Sequence, residues 1–121
     1  EDLKVVLNEG QKRIQQGCSV VIFPQATRST VFDIRNFNTL GVKLARRAGV
    51  PVVPIALKTD FHGSGRWVKE IGPLHPDRPI YFQFGSPIPV VGNGQAAHRS
   101  VVEFISQNLA AWGVEVRAKF N

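Results

Sequence analysis

The run Val20-Val21-Ile22-Phe23-Pro24 constrains this chain more than any other stretch. Four consecutive apolar residues, mostly β-branched, fit a buried strand from Ser19 to Phe23. Proline cannot donate to a sheet ladder, so the strand ends at Pro24. The polar segment Gln25-Ala26-Thr27-Arg28-Ser29 follows, with two hydroxyls around one guanidinium. In an open α/β sheet, ligands bind at the carboxyl ends of strands. The planar fork of an arginine there suits an anion such as a phosphate.

The flanking sequence predicts an α/β arrangement around that strand. Asp2 to Gln16 has an amphipathic pattern, with Leu3, Val6, Leu7, Gly10 and Ile14 on one helical face. Asp2 is the expected N-cap and Gly17 the expected stop. Pro24 to Asn38 shows no period, and connections of that length are often functional. Thr39 to Ala48 reads as a second helix, capped by Asn38 and ended by Gly49, with Leu40, Leu44 and Ala48 inward. Val52 to Lys58 is a further apolar run, hence a strand. Strand, helix, strand makes a βαβ crossover with both strands parallel and ending at one sheet edge. The loop Thr59 to Arg66 is then expected beside the Pro24 to Asn38 segment.

Trp67 to Ile71 and Pro79 to Phe84 are expected strands, joined through Gly72, Pro73, Pro76 and Pro79. Ser86-Pro87-Ile88-Pro89 is expected to be extended, and Gly92-Asn93-Gly94 to turn. Ala96 to Trp112 is an amphipathic helix with Ala97, Val101, Ile105, Leu109 and Trp112 on one face, stopped by Gly113. Val114 to Phe120 alternates apolar and charged residues, as an edge strand or a tail.

A chain of 121 residues suits one domain or a large part of one. Methionine is absent, and the chain is expected to be a piece of something longer. The net charge of +6 favours an acidic partner: phosphate, nucleic acid or an anionic membrane surface. Charge alone does not choose among them. The single cysteine, Cys18, excludes an internal disulfide and reads as a small core residue. Lys43, Arg46 and Arg47 share the outer face of the second helix and read as a solvated face rather than a phospholipid contact. The sequence has no Gly-x-x-x-x-Gly-Lys or Gly-x-Gly-x-x-Gly phosphate loop and no zinc-ligand set.

Two blocks resemble the glycerolipid acyltransferases of the lysophosphatidic acid acyltransferase type. That family carries Phe-Pro-Glu-Gly-Thr-Arg-Ser after such a strand. Here the block reads Phe23-Pro24-Gln25-Ala26-Thr27-Arg28-Ser29, with five of seven positions matching. A second family block, Val-Pro-Val-Val-Pro, is matched in order by Val50-Pro51-Val52-Val53-Pro54-Ile55. The resemblance covers about residues 1 to 90 and implies an α/β fold: a mixed sheet with flanking helices. Residues 1–121 would form the carboxyl-terminal portion of one acyltransferase domain. The implied reaction moves a fatty acyl group from acyl-CoA or an acyl carrier protein, as co-substrate, to a lysophospholipid such as 1-acylglycerol-3-phosphate. Phe23 to Ser29 would form the acceptor site, with Arg28 and Thr27 on the phosphate and Phe23, Pro24 and Ala26 shaping the pocket. Gln25 takes a position the family gives to a carboxylate. No metal or further cofactor is implied, and no nucleic acid. The implied partners are the acceptor, the thioester donor, an anionic membrane surface and the upstream catalytic half. The implied location is the cytoplasmic face of a membrane.

In that family a histidine, oriented by an aspartate five positions later, deprotonates the acceptor hydroxyl. The His-x-x-x-x-Asp block lies well before the Phe-Pro block, yet no histidine occurs among the twenty-two residues before Phe23. His62 is followed at that spacing by Trp67, His75 by Ile80, and His98 by Glu103. His98 and Glu103 fall on a helix, where five-apart residues do not face each other, and read as surface residues. His62 reads as a loop residue. The catalytic base is therefore expected outside this chain. Arg28 has a plainer role available as a loop arginine paired with Asp33. A competing class is a basic α/β module that stacks nucleic-acid bases on Trp67, Tyr81 and Phe82. Those aromatics fall in expected strands, where core packing accounts for them. A third class is a degenerate acyltransferase-like regulatory protein, given Gln25 and Ala26.

Overall fold

The computed structural model describes residues 2–24, 31–59 and 80–117. Helix α1 (Asp2–Gln15) has Asp2 in its first turn and Lys12 and Arg13 in its last, which suits the helix dipole. Asp2 is already helical and so is not the expected cap. Gly17 follows the helix in a left-handed conformation, as a stop residue does. Strand β1 (Val31–Asp33) and a 3-10 turn (Ile34–Asn36) lie inside the segment expected to be irregular. Helix α2 (Leu40–Ala48) buries Val42, Leu44 and Ala45, so its inward face is rotated from the expected Leu40, Leu44 and Ala48. Thr39 is its N-cap, but Asn38 makes the side-chain bond: its Oδ1 accepts the Leu40 N–H at 3.1 Å. Helices α1 and α2 cross where Gly10 meets the Leu44 side chain.

Strand β2 (Ile55–Thr59) pairs antiparallel with β3 (Ile80–Phe84), with Leu57 opposite Phe82. The pairing continues as a bridge between Val52 and Ile88, so the Pro-rich stretch before α3 is extended as expected. Helix α3 (Gln95–Ala111) is the centre of the core. Its Ala97, Val101, Val102, Ile105 and Leu109 are buried, and Val102 is fully enclosed. They pack against Phe32 and Phe37 on one side, with Val52, Ile88, Trp112 and Val116 around them. Strand β4 (Glu115–Arg117) follows α3 and pairs in parallel with β1, Phe32 opposite Val116. One face of the β2–β3 ribbon is held to the end of α3. Lys58 Nζ donates to the Trp112 carbonyl at 2.8 Å, and Tyr81 stacks on Trp112 at 5.3 Å. An ammonium there also meets the negative pole of the helix.

The α/β class holds, but the expected βαβ pairing does not form. Residues 18–24 carry no strand, and no backbone hydrogen bond reaches residues 19–23 among the described residues. A ladder needs a neighbour about 4.8 Å away. Residues 50–55 instead face residues 18–24 across a crevice of about 570 Å³. The parallel pair that does form is β1 with β4. Cys18 is exposed rather than buried, because the run it introduces is not covered. Phe82 is likewise 52% exposed, since it lies on the ribbon face turned away from α3. All five residues of β3 are exposed, Tyr81 included despite its stacking on Trp112, so the core packing expected of Tyr81 and Phe82 is not found.

Candidate functional site

Of the seven residues expected to hold the acceptor, the structure describes Phe23 and Pro24. Phe23 is 78% exposed, and Pro24 is half-buried. Gln25, Ala26, Thr27, Arg28 and Ser29 lie outside the described residues, as do His62, Trp67 and His75. The end of the Phe-Pro pair is anchored from the far side of the segment: the Asn38 N–H donates to the Pro24 carbonyl at 3.2 Å. Pro24 therefore sits against the start of α2.

Asp33, the alternative partner for Arg28, is already occupied. Arg35 donates through Nη2 to Oδ2 at 2.7 Å and through Nε to Oδ1 at 3.0 Å, and its backbone N–H reaches Oδ1 at 3.0 Å. The Arg35 side-chain bonds, with the backbone bond second, hold the Asp33 carboxyl down at about 2. Arg117, opposite Asp33 in the β1–β4 register, adds its positive charge, and Arg28 lies outside the described residues.

The crevice lies beside this anchor. Val20, Ile22 and Pro24 form part of one wall, Val52 and Ile55 another, and Phe37, Val42 and His98 a third. It is an apolar cleft within the size range of small-molecule pockets. His98 was expected on the surface and is not there. It is half-buried, its ring 5.8 Å from the Phe37 ring, and Nδ1 is enclosed with no hydrogen-bond partner among the described residues. Burial pushes its imidazole below the ordinary value. A signal for this was present: His98 lies beside Ala97 and four residues before Val102, on the edge of the buried stripe. Glu103 points outward, as expected.

The basic group on α2 divides. The Arg47 guanidinium donates to Asn8 Oδ1, and its carbonyl accepts from Gln11 Nε2, so this arginine straps α2 to α1. Lys43 and Arg46 are exposed. Among the described residues, no three His, Cys, Asp or Glu side chains converge as a metal site, and no helix is long and apolar enough to cross a membrane.

An α/β frame whose sequence carries Phe-Pro followed by Thr-Arg-Ser defines a class that comparison with known proteins supports. Residues 1–58, which span that block, match the acyltransferase family. The chain is homologous to the 1-acyl-sn-glycerol-3-phosphate acyltransferase of Pseudomonas aeruginosa, at 30% identity over 119 residues. That alignment takes in 98% of this chain and 43% of the relative. The crystal structure of the 1-acyl-sn-glycerophosphate (LPA) acyltransferase PlsC from Thermotoga maritima superposes with a TM-score of 0.67 at 20% identity, over 95% of this chain and 45% of that one. At that identity the likeness concerns the fold. The chain spans less than half the length of both relatives.

Proposed function

We propose that residues 1–121 are the carboxyl-terminal portion of a glycerolipid acyltransferase domain and supply the part that holds the acceptor's phosphate. The observation that carries this reading is the 30% identity over 119 residues with a 1-acyl-sn-glycerol-3-phosphate acyltransferase. The Phe23 to Ser29 block inside the family match adds to it. In this reading Arg28 and Thr27 bind the phosphate of a lysophospholipid, with Ser29 beside them and Gln25 as a neutral hydrogen-bonding neighbour. Phe23, Pro24 and Ala26 shape the pocket. The acceptor hydroxyl attacks the thioester carbonyl of acyl-CoA or an acyl carrier protein. An ester C–O bond forms, the C–S bond breaks, and the hydroxyl proton passes through a base to the leaving thiol. That base belongs to a His-x-x-x-x-Asp block outside this chain, and the chain alone is inactive. The domain works at the cytoplasmic face of a membrane, with its positive charge toward anionic lipid.

The test is an acyl-transfer assay with acyl-CoA and lysophosphatidic acid. It compares residues 1–121 alone with the same residues joined to a segment that carries the His-x-x-x-x-Asp block. Turnover is expected only in the second case. Turnover by residues 1–121 alone that a His62 or His98 substitution abolishes would overturn the reading.

A further inference from the structure

We propose that His98 is a positioning residue. Its neutral imidazole holds Phe37 and Asn38 in place, and through the Asn38 amide it fixes Pro24, so that protonation of His98 loosens the anchor of the Phe23 to Ser29 block. The contacts stand on their own; their bearing on catalysis rests on the reading of that block as the acceptor site.

The connections are short. The His98 ring packs on Phe37 at 5.8 Å, and Phe37 packs edge-on against Phe32 at 5.7 Å within the core. Asn38, the next residue, uses its N–H on the Pro24 carbonyl and its Oδ1 on the first N–H of α2. Three consecutive links thus lead from one imidazole to Pro24.

The surroundings favour the neutral ring. His98 is the fourth residue of α3, and its N–H bonds the Gly94 carbonyl. The helix has no acidic residue in its first turn, and its one side-chain cap bond among the described residues, from the Gln95 N–H to Asn93 Oδ1 at 3.0 Å, is to a neutral amide, so no negative charge offsets its positive pole. The crevice wall holds no carboxylate, lysine or arginine among the described residues. Its other titratable group is the exposed Cys18. On α3, Arg99 and Glu103 face outward; on α2, so do Lys43, Arg46 and Arg47; and Asp33 is bound by Arg35. The Phe37 ring attracts a cation, yet one ring does not replace the hydration that an imidazolium loses on burial. Burial accordingly lowers the imidazole from 6.5. A protonated ring relieves the conflict by turning toward water, and Phe37 then loses the neighbour that holds it.

The experiment is a heteronuclear NMR titration of the purified protein from about pH 8 to about pH 5, the range in which histidines change charge. It follows the His98 imidazole, the Phe37 ring and the Asn38 amide. The expected result is one shared midpoint below 6.5 for all three signals, with loss of solvent protection at the Asn38 amide on the acid side. His98→Phe keeps a ring and removes the proton, and His98→Gln keeps a neutral polar group; in each, Phe37 and Asn38 are expected to become insensitive to pH. A His98 midpoint near 6.5 with stationary Phe37 and Asn38 signals would overturn the proposal. So would pH dependence of those signals that persists in either variant. The readout involves no acyl transfer, so its failure leaves the proposed function untouched.

Discussion

Gly94 brings the turn before α3 against the Val42 side chain of α2, and Gly94→Ala separates two costs. Its φ is +83°, and a Cβ there would stand 2.7 Å from Val42 Cγ1 and 3.4 Å from Val90 Cγ1. Val42 is buried and β-branched, so its methyl cannot swing aside. The left-handed conformation costs a non-glycine residue about 1–2 kcal/mol. Forcing a methyl into a packed contact costs about 1–3 kcal/mol more. Gly113→Ala is the matched control: φ is also +83°, and nothing lies within 4 Å of its Cβ. Stiffening of the unfolded chain is common to both variants and cancels. Gly94→Ala is therefore expected to be less stable than Gly113→Ala by about 1–3 kcal/mol, a large share of a typical domain's 5–15 kcal/mol. Urea unfolding followed by tryptophan fluorescence reads this as a lower midpoint at unchanged slope. Equal midpoints for the two variants would refute the claim that Val42 fixes the approach of α3.

Three further outcomes are expected. Asp33 has a folded-state pKa lowered from 3.8 to about 2, so its contribution is present above 3.8 and is lost as the pH falls toward 2. Asp33→Asn should flatten that part of a stability–pH curve, and an unchanged acid limb would count against the Arg35 pairing. In a protein carrying the complete domain, Arg28→Ala should weaken acceptor binding by about 2–5 kcal/mol if the phosphate pair is buried. Arg28→Lys should recover only part of this, because a point charge replaces a fork; an unaltered acceptor dependence would remove Arg28 from the site. Gln25→Glu should raise the acceptor KM as the new carboxylate ionises, since a charge about 5 Å from the phosphate at an effective dielectric of about 20 repels by about 3 kcal/mol. A KM that does not vary with pH would mean that Gln25 faces solvent.

The three helices were legible because their signals are local. Gly17, Gly49 and Gly113 follow α1, α2 and α3 as stops, and the Ala97, Val101, Ile105, Leu109 stripe of α3 is buried as its spacing predicts. The family was legible too, because the Phe23 to Ser29 block keeps five of seven positions. The strand in residues 19–23 was misjudged, although its composition is that of a strand. His98 was misjudged because it was weighed only against Glu103, five residues on, while its place beside the buried stripe of α3 put Phe37 over it.

The division follows from where the hydrogen bonds go. A helix closes its bonds within its own segment, so period, caps and stops written in fifteen or so residues largely decide it. By itself, the sequence determined α1, α2, α3 and the motif that names the family. A strand's bonds end on another segment, and strand-forming residues do not say which one. Only the tertiary structure decided that β1 pairs in parallel with β4, that β2 takes β3, and that residues 18–24 stand across a crevice from residues 50–55. The same holds for Asp33, whose carboxylate takes Arg35, two residues away, because the 3-10 turn aims the backbone N–H and guanidinium of Arg35 at it.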